Sequence, residues 1–215
     1  MCDARRLILE RLRATHRDPV GAAAAVPPRR FPWGREERLA RFQGRLTAVH
    51  GEVHRVATQW PQFLHDLLRR RQVRDLLFGP GGCHGEALVQ GWPDGSGVRL
   101  RPYLEPVEQC RDGLFEAALA GFSGCRGAVA ETGSLVLWPD AHEPRLLSLV
   151  PSIHVVLLDA DTICSTFAEL LQTQGWARGM PTNALLITGP SKSADIEQTL
   201  TYGVHGPKEL IVLVR

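Results

Sequence analysis

At 215 residues, with 44% hydrophobic and 22% charged side chains and a net charge of +2, the chain has the make-up of a soluble globular domain with a sizeable core. Its longest uncharged apolar runs, such as Ile153–Leu158, fall far short of the roughly 20 residues that cross a bilayer. The N-terminus interleaves charges with apolar residues and lacks a signal-peptide core, so the protein is expected in the cytoplasm without a membrane span.

Residues 5–14 carry an amphipathic pattern and are expected to form a short helix. The stretch 18–32 is rich in Ala and Pro and reads as an extended arm, in which Phe31 and Trp33 are free to dock on the body or on another subunit. Residues 1–35 are therefore set apart from a single α/β domain over 36–215. Residues 1–74 hold 16 Lys or Arg against 7 Asp or Glu, but these arginines are scattered through helical patterns without interleaved aromatics. Solvated helix faces are expected there rather than a nucleic-acid surface.

From Glu36 onward helix and strand alternate. Helices are expected near 36–50 and 60–72, with strands at 52–56 and 73–78. A glycine loop, GPGGCHGE, then leads through a short helical stretch to a strand at 98–103. A helix near 106–120 precedes the segment Gly127–Trp138, and Ile153–Leu158 is a continuous β-branched run. Further helices are expected at 162–174 and 193–202, and strands at 184–188 and 209–214. Apolar strands without clean alternation, spaced by helices, are the signature of βαβ units. The fold class expected is α/β, with a largely parallel sheet and helices on both faces. Ligand crevices in such sheets lie at the carboxyl ends of the strands, where the loops at 79, 131 and 189 would gather.

Several segments could carry chemistry. AVAETGSLVLWP places Glu131, Thr132 and Ser134 in an apolar segment, where an ionised carboxylate must be paired or hydrogen-bonded. Gly133 permits a positive φ that would present them at a surface. In GPSKSADIE, the residues Gly189, Pro190, Ser191, Lys192, Ser193 and Asp195 form a turn and an expected helix start that could bind an anion, although the acidic residues compete for that end. His205 and Gly206, in GVHGP, place an imidazole on a constrained turn suited to general acid or base work. His154 begins an apolar strand and reads as a hydrogen-bonded core histidine. The five cysteines, at 2, 83, 110, 125 and 164, contain no C-x-x-C pair, so neither a bound metal nor a cluster of the chain's own is expected. They read as small buried hydrophobes, with Cys83 the one to watch beside His84. No P-loop, G-x-S-x-G, H-E-x-x-H or dinucleotide fingerprint is present.

Three pieces, AETGSLVL at 130–137, LLSLVPSIHVVLLDADTI at 146–163 and ITGPSKSADIEQTLTYGVHGPKEL at 187–210, resemble the LUD-domain family. The resemblance covers roughly the C-terminal half. It implies a fold similar to the NagB/RpiA/CoA transferase superfamily and a part in oxidising L-lactate to pyruvate. The chain would act as an accessory or substrate-binding subunit, with lactate or a related carboxylate as ligand. Iron–sulfur clusters would reside on partner subunits, with no cofactor on this chain; a homo-oligomer is also open. The rival reading is a free-standing small-molecule or CoA-transferase-like enzyme, with Glu131 as the nucleophile.

Overall fold

The computed structural model describes residues 2–14, 27–95, 97–104, 119–194 and 200–215. Helix α1 (Cys2–Ala14) forms as its pattern predicts, with Leu7, Ile8 and Leu12 exposed. The helix expected near 106–120 lies outside the described residues up to 118, and so do 15–26 of the arm.

The centre is a six-stranded sheet in the order β1 (Glu52–Arg55), β12 (Glu209–Val214), β7 (Ile153–Leu158), β4 (Leu119–Gly124), β2 (Asp75–Phe78), β3 (Arg99–Pro102). Every pairing in it is parallel. Its inner strands β2, β4, β7 and β12 are largely apolar on both sides because both faces are covered, whereas the edge strands β1 and β3 carry charged residues. Along β7, Ile153, Val155 and Leu157 enter one core beside Trp60, Leu64 and Leu68 of α3 (Trp60–Arg70) and Leu88 of α4 (Gly85–Gly91). Val156 and Leu158 enter the other, beside Leu39, Phe42 and Leu46 of α2 (Arg35–Ala48).

That second face carries more than a helix. A four-stranded sheet lies over it in the order β8 (Ile163–Cys164), β5 (Gly127–Val129), β6 (Ser134–Leu137), β9 (Leu185–Ile187), and it sends Ala128, Leu135 and Leu137 into the same core. The α/β expectation holds, and this second sheet is the addition to it. Segment 127–138 folds as an antiparallel pair rather than one strand because Gly133, at φ 75°, turns the chain. A Cβ at Gly133 would lie 2.6 Å from Cβ of Arg45, so the turn also needs glycine to meet α2. Of the arm, Trp33 packs against this core under Arg41, whose guanidinium lies 4.1 Å from its ring centroid.

Three expected elements are corrected. The helix expected at 162–174 begins only at Phe167, because Ile163–Cys164 pairs as β8 with β5. Leu119 and Ala120, read as a helix end, begin the central strand β4, whose two sides are both buried. Of the helix expected at 193–202, the described ends are strands. Lys192–Ala194 (β10) pairs antiparallel with Leu200–Tyr202 (β11), and 195–199 lie outside the described residues. Cross-strand pairing with Thr201 and Tyr202, both good strand formers, outweighs the helix-start character of Ser193.

Candidate functional site

The chain leaves β2 toward the outer strand β3, whereas β4, on the other side of β2, leads toward β7. The connections diverge between β2 and β4, which is where open parallel sheets place their ligand crevice. A cavity of about 360 Å³ opens there, beyond the carboxyl ends of the two strands. Gly81, Gly82 and Cys83 of the glycine loop form one wall, and Ser123 to Arg126 another. Trp138, Asp140 and Glu143 add a third side.

Two glycines make this convergence possible. A Cβ on Gly124 would lie 2.8 Å from Cys83 Sγ and 3.1 Å from the His84 ring, so only glycine lets both side chains seat against the end of β4. A Cβ on Gly82 would overlap the Glu143 carboxylate. Asp140 shapes the loop that carries this group: its Oδ1 accepts the backbone N–H of His142 at 2.7 Å and of Glu143 at 2.8 Å. The Glu143 carboxylate accepts the Gly124 N–H at 3.1 and 3.3 Å.

Burial sets the chemistry of these groups. It pushes the Glu143 carboxyl up from the ordinary range; the Gly124 N–H opposes this and the charge of Asp140 adds to it. Partial burial raises the Cys83 thiol, as does the charge of Glu143, so Cys83 stays a thiol at neutral pH. The His84 imidazole is held neutral, first by burial and then by Arg215. Cys83 is therefore not an activated nucleophile. Arg126 supplies a cation on the same cavity, its guanidinium 4.6 Å from the Trp138 ring centroid. The buried indole Nε1 of Trp138 has no hydrogen-bond partner among the described residues. A guanidinium and a part-buried carboxyl beside Trp138 on one cavity suit a small carboxylate that also bears a hydroxyl or carbonyl oxygen.

Apart from Cys83, the residues singled out by sequence fall elsewhere. Glu131 sits on the β5–β6 turn, paired with Arg29 at 2.7 Å, and lines a groove with Phe31, Trp33, Arg41 and Arg45. His205, Gly206, Gly189 and Ser191 do come together, with His154 and Thr188, around a cavity of about 220 Å³. Among the described residues the two share no lining side chain. Glu131 and His205 thus do not meet in one pocket, and neither lines the cavity at the end of β4. The reason is topological: the loop at 79 follows a strand of the parallel sheet, whereas those at 131 and 189 belong to the second sheet. Ser134 is buried and bonds Thr188 Oγ1 at 2.7 Å and Thr132 Oγ1 at 2.8 Å. Pro190 and Lys192 line an adjoining groove with Tyr202, Ser193 is in β10 opposite Thr201, and Asp195 lies outside the described residues.

Sequence reasoning passed over Glu143, Arg126, Trp138 and Ser123. Its one signal was the glycine loop, whose spacing fits no phosphate motif but does match a backbone crowded by a neighbouring chain segment. Cys164 is buried, Cys125 is half-buried with its thiol pushed up to about 12, and Cys83 is exposed on the cavity wall. Among the described residues no group of three or more His, Cys, Asp or Glu is placed to hold a metal ion, and no helix is long and apolar enough to cross a membrane.

His154 is a core histidine, as its strand predicts: fully buried, with Nε2 2.9 Å from Ser123 Oγ. Burial lowers its pKa from 6.5 to about 3. A folded-state pKa below the unfolded one gives stability that is whole above pH 6.5 and is lost as the pH falls toward 3. Urea unfolding from pH 6.5 down to 4.5 is expected to show a decline that His154→Asn makes shallower by about 1.4 kcal/mol per pH unit. An unchanged slope would show that the imidazole is protonated in the fold.

A sequence model of the LUD domain matches residues 39–214. The chain is 35% identical over 213 residues to lactate utilization protein C of Deinococcus radiodurans, covering 96% of this chain and 94% of that protein. It is 34% identical over 184 residues to the uncharacterized protein NMB1437 of Neisseria meningitidis serogroup B, covering 84% and 78%. Lactate utilization protein C of Bacillus licheniformis is 35% identical over 165 residues, covering 70% and 68%. Among solved structures, a DUF162 family protein from D. radiodurans matches with a TM-score of 0.60 at 23% identity, covering 85% of this chain and 99% of that one, which is a likeness of fold.

Proposed function

The chain belongs to the LUD-domain family, and we propose that it serves lactate utilisation by holding L-lactate or a related small carboxylate in the cavity between β2 and β4. One observation carries this reading: a guanidinium and a part-buried carboxyl converge at the divergence point of a parallel sheet. Arg126 and the Trp138 indole N–H would take the ligand's carboxylate. Glu143 would hydrogen-bond its 2-oxygen, and its raised pKa favours an exchangeable proton there. The names of the D. radiodurans and B. licheniformis relatives supply the pathway. The electrons of the oxidation would leave to iron–sulfur carriers on separate subunits in the cytoplasm, with this chain as the binding subunit beside them.

A strain lacking the gene is expected to stop growing on L-lactate as sole carbon source while still growing on glucose. Normal growth on lactate would remove the pathway assignment. The transferase alternative is tested on the purified chain with acyl-CoAs: a covalent acyl adduct on Glu131 or Glu143 by mass spectrometry would replace the binding-subunit reading, which requires none.

A further inference from the structure

The cavity that gathers His205, Ser191 and Gly206 is not independent of the one between β2 and β4. Ser123 lines the first cavity, between β2 and β4, and His154 lines the second, around His205; the two side chains are joined by the hydrogen bond between Ser123 Oγ and His154 Nε2. Ser148 lines both. His154 is fully buried, and its other ring nitrogen, Nδ1, has no hydrogen-bond partner among the described residues. An unmet buried nitrogen is costly, by about 1–3 kcal/mol, and the ring carrying it faces a space with room for a few heavy atoms.

The lining says what would fill that space. Besides His154 it offers the hydroxyls of Ser148 and Ser191 and the imidazole of His205, with no Asp or Glu lining it among the described residues. Lys192 lines the groove that adjoins it through Leu186, Thr188 and Gly189. Hydrogen-bond donors with a cation nearby, and no carboxylate among the described residues, favour an anion over a cation.

We infer that this second cavity binds a small carboxylate at His154 Nδ1, and that its occupancy sets the hydrogen-bond polarity of Ser123 in the first cavity. The mechanism follows from one imidazole having one proton when neutral. A carboxylate oxygen at Nδ1 requires the proton to be there. Nε2 must then accept, so Ser123 Oγ–H is committed to His154 and turns only lone pairs toward the first cavity. With the second cavity vacant, the proton can sit on Nε2, and the Ser123 hydroxyl is free to donate to a ligand beside it. Occupancy of the second cavity therefore weakens carboxylate binding in the first, and the coupling is reciprocal.

The test is the tautomer of His154, read by nitrogen NMR on the full chain labelled with 15N-histidine. Sodium acetate is the probe, with sodium chloride at equal ionic strength as control and His154→Asn assigning the signals. Acetate is expected to move the ring saturably to the Nδ1–H form, and to weaken L-lactate binding about 5-fold. Ser191→Leu, which fills the second cavity, is expected to abolish the response, and Arg126→Ala, which alters only the first, to leave it intact. Should Ser191→Leu fail to fold, Ser191→Ala is expected to raise the acetate midpoint about 3- to 10-fold. The inference is overturned by a chloride response equal to that of acetate, by no saturable shift, or by a response that Arg126→Ala removes and the Ser191 variants do not. Loss of lactate binding with the acetate shift preserved would remove the reading of the first cavity and leave this one standing.

Discussion

Arg126→Ala is expected to weaken L-lactate binding about 10- to 100-fold in calorimetric titration, because a charge-assisted hydrogen bond to a carboxylate contributes about 1.5–3 kcal/mol. Arg126 is exposed and stacked on Trp138, so the fold should survive its loss with little change in thermal stability. Arg126→Lys keeps the charge but loses the flat, forked donor set, and recovery should be partial. Affinity unchanged in Arg126→Ala would mean that the ligand's carboxylate is held elsewhere.

Phe42→Ala is expected to have the largest effect on stability, about 3–5 kcal/mol by urea unfolding. Phe42 is fully buried on α2, in the core that the parallel sheet shares with the four-stranded sheet. Its removal leaves a void that strands on both sides would have to fill at once. Leu39 and Leu46 lie on the same helix face but are smaller, so their truncation to Ala should cost less. A loss below about 1 kcal/mol would show that the two layers close around the space.

The architecture was legible wherever burial on two faces wrote itself as an unbroken apolar run. Ile153–Leu158 and Glu209–Val214 were read at their observed bounds for that reason. β4 was not legible, because it is written with small residues, Ala120, Gly121, Ser123 and Gly124, chosen for what packs on them. Gly121, for one, lies against the Leu147 carbonyl. The same feature hid the site. Glu143 sits in a loop with no motif of its own, and only the close approach that Gly82 and Gly124 permit makes it a part-buried carboxyl. Residues 192–202 misled in the opposite direction: local helix-start chemistry was sound, but a strand partner in Leu200–Tyr202 overrode it. The grouping of Gly189, Ser191 and His205 was legible from the two Gly-Pro turns, whereas their distance from Glu131 depends on a second sheet that periodicity alone does not reveal.

A crystal structure of the chain grown with L-lactate is the sharpest test of whether the cavity between β2 and β4 is the binding site. Density for the ligand with its carboxylate in hydrogen-bond reach of Arg126 and its hydroxyl against Glu143 is the expected result. Lactate bound only beside Glu131, or no lactate bound at all, would contradict it.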